Sequence, residues 1–162
     1  MDLKFLKMNK MKKNLFLTAI ILTVLSIHTR AGEPSTEPKA GTTGTVIHLT
    51  DAAFKQKVFN YELNKQWKYE GNKPAIVDFY ANWCGPCRQL SPVMEQIAKE
   101  YNGKIIIYKV DTDAEKLLSQ NLGIQSLPTL LFIPVNGKPQ VAMGALPKES
   151  LVKAIQEILL VK

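Results

Sequence analysis

A six-residue apolar segment, Ala75–Tyr80 (AIVDFY), constrains the fold of this chain more than any other feature. Its residues are apolar at almost every position rather than at every second one, which is typical of a strand buried on both faces. Asp78 is the one charged residue that interrupts it. A strand of this kind indicates the interior of an α/β sheet, with a covering layer on each side.

The segments around this strand alternate between strand and helix patterns. The predicted strands are Val46–Leu49, Ala75–Tyr80, Ile105–Val110, Thr129–Ile133 and Gln140–Met143. The predicted helices run from the cap Thr50 or Asp51 to Val58, from Gly85 to Tyr101, from the cap Asp113 to Asn121, and from Lys148 to Val161. Alternation followed by a hairpin at Asn136-Gly137 and a last helix predicts an α/β domain, with a central mixed β-sheet flanked by helices on both faces.

The N-terminal residues have the composition of an export signal. Met1–Lys13 contains five lysines and one aspartate, and Leu15–Ile27 is then free of charge over 13 residues. That length suits the apolar region of a signal peptide better than a membrane span. Small residues flank Arg30 in Thr29-Arg30-Ala31, which predicts cleavage after Ala31 and a signal peptide over residues 1–31. An uncleaved membrane anchor is the alternative.

Residues 32–44 (GEPSTEPKAGTTG) are rich in Gly, Pro, Ser and Thr and predict a flexible linker, so the folded domain spans residues 45–162. The formal net charge of the whole chain is +7. Most of this charge lies in residues 1–31, which hold six basic residues and one acidic residue. The domain therefore has no basic stripe of the kind that nucleic-acid binding requires.

The two cysteines, Cys84 and Cys87, both lie in the segment WCGPC. Any cysteine-based function of the chain therefore resides in these five residues. Two thiols at this spacing can close a small disulfide ring and reopen it. Cys84 falls at a predicted helix start, where the dipole and free N–H groups stabilise a thiolate and lower its pKa. We therefore predict that Cys84 attacks a disulfide and that Cys87, one turn further, resolves the mixed disulfide.

The residues around the cysteines fit redox chemistry better than metal binding. Gly85 leaves room for an incoming chain, and Pro86 is tolerated in the first turn of a helix. A structural zinc site needs four ligands, and His48 is the only histidine outside the leader, so we expect no metal and no cofactor. Burial should raise the pKa of Asp78 and make it a proton acceptor near neutral pH. A purely structural aspartate is the alternative.

The segment VDFYANWCGPCRQLSP resembles the active-site segment of thioredoxins, and the similarity extends over residues 45–162. NLGIQSLPTL, at residues 121–130, resembles the stretch around the cis-proline of that family. Gly144-Ala145-Leu146 resembles its glycine loop, and Asn136-Gly137 matches its last hairpin. With its leader, the chain resembles an exported thioredoxin of a Gram-negative bacterium, which implies a thioredoxin fold.

The resemblance also implies roles for single residues. Asp78 would take the proton of Cys87, and Lys109 matches a lysine near that aspartate; a solvated surface lysine is the alternative for Lys109. Pro128 would be the cis-proline, and the backbone beside it would pair with an extended substrate. The substrate would lie in a shallow apolar groove that also includes Trp83, Leu127, Met143 and Gly144.

Three features depart from the family pattern. Tyr80 stands where thioredoxins usually have a second tryptophan, which alters the packing beneath the cysteines. Ser126 replaces a common glycine. The Phe59–Asn72 segment is longer and more aromatic than usual, which makes it a candidate for partner contacts.

These observations predict a protein thiol-disulfide oxidoreductase. Gly85-Pro86 resembles the dipeptide of reducing members, so we expect a monomeric periplasmic reductase that acts on exported disulfide-containing proteins. Because the periplasm is kept oxidising, a membrane thiol-electron donor would have to reduce it again. The alternatives are an oxidant of newly exported proteins, a reductase specialised for cytochrome maturation, and a non-catalytic binding module.

Overall fold

The computed structural model describes residues 44–162; the predicted signal peptide and all of the predicted linker except Gly44 lie outside this range. The strands are β1 (Val46–His48), β2 (Ala75–Tyr80), β3 (Ile106–Asp111), β4 (Thr129–Ile133) and β5 (Gln140–Met143). The helices are α1 (Asp51–Lys57), α2 (Gly85–Glu100), α3 (Lys116–Asn121) and α4 (Lys148–Glu157). None of the helices in this range is long and apolar enough to cross a membrane. The order of elements predicted from the sequence is confirmed.

The five strands form one mixed sheet in the order β1-β3-β2-β4-β5, with β2 at its centre. β3 pairs in parallel with both β1 and β2, whereas β4 pairs antiparallel with β2 and β5. Tyr80 is opposite Asp111 at the carboxyl ends of the two central parallel strands. Loops at such an edge of an α/β sheet commonly form the ligand site.

Each face of the sheet buries its own apolar core. Residues of α2 and α4, such as Met94 and Leu151, pack with Ile76 on one face, which we call the α2/α4 face. Residues of α1 and α3, such as Phe54 and Leu118, pack on the other, the α1/α3 face. The predicted arrangement of helices on both faces is therefore confirmed.

The Phe59–Asn72 segment covers part of the α1/α3 face. Its four aromatic side chains all pack against that core; they are Phe59, Tyr61, Trp67 and Tyr69. The rings of Phe59 and Trp67 contact each other in a tilted arrangement, with their centroids 4.8 Å apart. Lys55 of α1 holds the segment from outside, since its ammonium group lies 2.8 Å from the carboxylate of Glu62. The aromatic character of this segment thus serves the core of the domain.

The prediction that Asp113 caps the third helix is wrong. α3 begins at Lys116 with Glu115 as its N-cap residue, and no side chain caps it. The backbone N–H of Asp113 instead donates to Oδ1 of Asp111 (3.0 Å), which forms a local turn after β3. The last helix is also shorter than predicted, because it ends at Glu157 and Leu160 has a positive φ of 58°.

Candidate functional site

Cys84 and Cys87 lie at the start of α2 and form a disulfide bond, with their Cα atoms 5.3 Å apart. Cys84 is the N-cap residue, and its Sγ accepts a hydrogen bond from the backbone N–H of Cys87 (3.2 Å). Backbone N–H groups in the first turn of a helix have no intrahelical partner, and hydrogen bonds to a charged acceptor are stronger than those to a neutral one. The helix start can therefore stabilise a negatively charged Cys84 sulfur once the disulfide is reduced.

Gly85 and Pro86 occupy the first two positions of α2, so the helix geometry predicted around them is confirmed. Pro86 is exposed and Gly85 is half-buried. A Cβ atom placed on Gly85 would have Nη2 of Arg88 as its nearest neighbour, at 4.0 Å. The surface beside the disulfide is therefore open to an approaching chain.

The Leu127–Pro128 peptide bond is cis, as the resemblance predicts, and Pro128 is buried. The backbone N–H of Gly144 donates to the carbonyl of Pro128 (2.8 Å), which joins the glycine loop to the proline. Leu127 packs against the buried cysteine pair. Within residues 44–162 the backbone N–H and C=O of Leu127 have no hydrogen-bond partner, so both can pair with an added strand.

Exposed apolar side chains lie next to this backbone. Trp83 precedes Cys84 and is 69% exposed, and its Nε1 donates to Oδ2 of Asp113 (2.9 Å). Met143 is 71% exposed and is the strand partner of Thr129, next to Pro128. The half-buried Leu127 packs against the cysteine pair, where the sequence predicts a groove.

Asp78 is fully buried in β2, on the side of the sheet that α2 covers. Neither of its carboxylate oxygens has a hydrogen-bond partner in the described part of the chain. Burial raises the pKa of Asp78 to about 6, although the nearby charge of Lys109 acts in the opposite direction. The carboxyl group can therefore gain and lose a proton close to neutral pH.

Lys109 is the direct neighbour of Asp78 across the β2–β3 pair. Its ammonium group, however, donates to Oγ of Ser91 on α2 (2.6 Å). The same group also lies 4.3 Å from the centroid of the Tyr80 ring. The lysine thus faces the region of Asp78 without forming a hydrogen bond to its carboxylate.

Asp113 and Ser91 also belong to this region, although the sequence alone predicts neither contact. Parallel pairing of β2 and β3 places the residues after Tyr80 beside those after Asp111, so the strand order would have identified Asp113 as an acceptor for Trp83. No sequence pattern reports the contact of Ser91, because it depends on the conformation of the long Lys109 side chain.

The arrangement is suited to thiol–disulfide exchange. A disulfide lies at an exposed helix start, Leu127 beside it has unpaired backbone groups, and the same domain holds a buried carboxyl group that can take up a proton. Exchange requires an attacking thiolate, access for the other disulfide and a resolving thiol. In residues 44–162 no three side chains of His, Cys, Asp or Glu come together as metal ligands would.

Comparison with known proteins gives a consistent result. The family model described as Thioredoxin matches residues 45–157. The chain is 51% identical over 111 residues to the thioredoxin of Borreliella burgdorferi, covering 68% of this chain and 95% of that protein. It is 38% identical over 109 residues to thioredoxin 1 of Nostoc sp., covering 67% of this chain and 92% of that protein.

A solved structure agrees with the sequence comparisons. The structure of chloroplastic thioredoxin z superposes with a TM-score of 0.62 at 28% identity, covering 72% of this chain and 96% of the other. A central mixed sheet with helices on both faces is thus common to the two proteins.

Proposed function

The chain belongs to the thioredoxin family and is a protein-disulfide reductase, and we propose that it works in the periplasm of a Gram-negative bacterium on exported proteins. The observation that carries this location is the N-terminal sequence, with its lysine-rich start, uncharged run and Thr29-Arg30-Ala31. The alignment with the Borreliella protein spans 95% of that protein and only 68% of this chain. The additional residues are thus extra to a thioredoxin domain.

The reaction begins with the reduced protein. The thiolate of Cys84 attacks one sulfur of the substrate disulfide, forming a bond between that sulfur and Sγ of Cys84. The substrate S–S bond breaks, and its second sulfur leaves as a thiolate that takes up a proton. The hydrogen bond from the backbone N–H of Cys87 supports this role of Cys84, since it favours the charged sulfur.

In the second step the thiol of Cys87 gives its proton to Asp78. The resulting thiolate attacks Sγ of Cys84, closes the Cys84–Cys87 disulfide and breaks the bond to the substrate. The remaining substrate sulfur leaves as a thiolate that takes up a proton from solvent, and Asp78 returns its own proton to solvent. The substrate has then gained two electrons, and the protein has lost them. The pKa of Asp78, raised by burial to about 6, supports this role because the group can accept a proton near neutral pH.

The substrate is held by its backbone beside the cysteines. An extended segment on either side of the disulfide pairs with the free N–H and C=O of Leu127, as a short added strand. Its apolar side chains contact Trp83 and Met143, which are both largely exposed. Backbone pairing explains how one site can accept many sequences.

The protein is reduced again by a membrane thiol-electron donor, whose own dithiol becomes a disulfide. An oxidising compartment would otherwise leave Cys84 and Cys87 as a disulfide. The same fact makes an oxidant of exported proteins the main alternative. The thiol state of the pair in growing cells separates the two, because a reductase is kept mainly as a dithiol and an oxidant mainly as a disulfide.

Expression of the full-length chain in a Gram-negative host tests the location. Periplasmic fractions should contain a protein that begins at Gly32 by mass spectrometry, and a variant without residues 1–31 should remain in the cytosol. An intact Met1 would contradict cleavage.

Substrates can be trapped with Cys87→Ser, which leaves the mixed disulfide at Cys84 unresolved. The matched control is the double Cys84→Ser, Cys87→Ser variant, which should trap nothing. We expect many different exported proteins to be found as mixed disulfides with Cys84. Capture confined to cytochrome-maturation proteins would favour the specialised reductase.

A further inference from the structure

The ammonium group of Lys109 contacts two residues, and neither of them is Asp78. Oγ of Ser91 accepts its hydrogen bond at 2.6 Å, and the Tyr80 ring lies beneath it at 4.3 Å. Asp78 is the strand neighbour of Lys109, yet its two oxygens have no hydrogen-bond partner within residues 44–162. A buried carboxylate and a nearby cation attract each other strongly, so their separation requires a cause.

The groups that face this region come from every element packed around it. β1 contributes His48, whose ring lies 6.1 Å from that of Tyr80, and β4 places the uncharged Leu130 opposite Asp78. On α2, Glu95 and Lys99 line a cavity of about 280 Å³ together with His48 and Lys109. Burial raises the pKa of the Tyr80 hydroxyl, and the charges of Asp111 on β3 and of Asp78 raise it further. Lys109 is thus the cation that strand pairing places directly beside Asp78.

We propose that Ser91, together with the ring of Tyr80, holds the ammonium group of Lys109 away from Asp78, and that Ser91 is therefore a positioning residue for proton transfer in disulfide exchange. The inference rests on the proposed role of Asp78 as the proton acceptor for Cys87. Ser91 lies one helical turn after Cys87, so the same helix that carries the resolving cysteine sets the place of the cation.

The direction of the effect follows from burial. Without the Ser91 hydroxyl, the ammonium group can turn towards Asp78 or towards Glu95 at the cavity. Asp78 is fully buried, whereas Glu95 is exposed and its charge is screened by water. The buried carboxylate exerts the stronger attraction, and an opposite charge at close range favours its ionised form. Loss of the hydroxyl should therefore make Asp78 harder to protonate.

The test follows the titration of Asp78 by carbon NMR in the oxidised full-length protein, where the disulfide removes the titration of both thiols. Ser91→Ala should lower the midpoint of Asp78 by about one pH unit, since opposite charges at close range cause shifts of this size. Ser91→Thr restores a hydroxyl group and should return the midpoint to that of the unchanged protein.

Lys109→Met distinguishes positioning from a general structural role of Ser91. In that background Ser91→Ala should leave the Asp78 midpoint unchanged, because no cation remains to be released. The proposal is overturned by an unchanged or raised midpoint in Ser91→Ala alone, or by equal shifts in the two backgrounds. The pH–rate profile of insulin reduction by the same variants tests separately whether Asp78 is the proton acceptor in the reaction. If the pH–rate profile does not shift when the titration midpoint of Asp78 shifts, Asp78 is not the proton acceptor. The positioning of Lys109 by Ser91 is then still supported by the titration.

Discussion

The two faces of strand β2 are built from alternating residues of one six-residue segment, and they differ in kind. Ala75, Val77 and Phe79 are all fully buried in the α1/α3 core. On the α2/α4 face, Ile76 joins the other core, but the next residue on that side is the unpaired carboxyl group of Asp78. One face is apolar along its whole length, and the other becomes polar towards the carboxyl end of the strand.

The difference indicates where the fold tolerates a cost in stability. Burying a carboxylate without a hydrogen-bond partner is unfavourable by several kcal/mol or raises its pKa, as it does here. Along β2 that cost falls on the α2/α4 face, at Asp78, whereas the residues on the opposite face of the same strand are packed for stability. Proteins commonly break local packing rules at functional sites and keep them elsewhere.

The largest expected effect is a loss of activity without a loss of folding, caused by a substitution at the start of α2. Cys84→Ser removes the attacking thiolate, so insulin reduction should fall to the uncatalysed rate, while the serine still suits an N-cap position. Activity assays at saturating reductant measure the loss, and circular dichroism confirms the fold. Retention of a substantial rate in this variant would mean that Cys87 can attack by itself.

The opposite face should respond in the opposite way. Phe79→Ala leaves a cavity in the α1/α3 core and should lower the free energy of unfolding by about 3–5 kcal/mol. Urea unfolding gives the value, and the exchange rate per folded molecule should change little. Val141→Ala, at a side chain that is 60% exposed, is a matched control with a small expected effect. A loss below about 1 kcal/mol in Phe79→Ala would contradict tight packing on this face.

The buried carboxyl group of Asp78 makes the stability of the folded protein depend on pH. Its pKa is raised from 3.8 to about 6 in the folded protein, so between these values the folded state binds more protons than the unfolded state. Stability therefore falls as pH rises through this window, by about 3 kcal/mol in total, and the loss is complete above it. Asp78→Asn should remove this pH dependence. Urea unfolding at pH 4 and pH 7.5 measures both slopes, and equal slopes in the two proteins would refute the assignment.

The same substitution also tests the proposed chemistry. Asp78→Asn cannot accept a proton, so the second step of exchange should slow most near neutral pH. Stopped-flow measurement of disulfide closure reports this step directly. An unchanged pH–rate profile together with an altered stability profile would leave Asp78 as a buried charge without a role in exchange.

The sequence predicts the order and type of the strands and helices better than the contacts between their side chains. Continuous apolar character defined β2 at both ends, and the cysteine spacing located the start of α2. An aspartate before a helical pattern suits a cap, but the side chain of Asp113 accepts a hydrogen bond from Trp83, between the segments that follow β2 and β3. The contact of Ser91 with Lys109 depends on the packing of α2 on β3, which neither local propensity nor periodicity reports.

The smallest expected effect concerns Trp67, in the segment that covers the α1/α3 face. Its Nε1 is buried and has no hydrogen-bond partner within the described residues, while its ring packs in a tilted arrangement against Phe59. Trp67→Phe keeps an aromatic ring and removes the unpaired donor, so the lost packing is offset by relief of the buried N–H. The free energy of unfolding should change by less than about 1 kcal/mol, and the exchange rate should stay the same. A loss of more than about 2 kcal/mol would mean that the indole N–H has a partner in solution. A changed exchange rate would mean instead that the two faces of β2 are coupled.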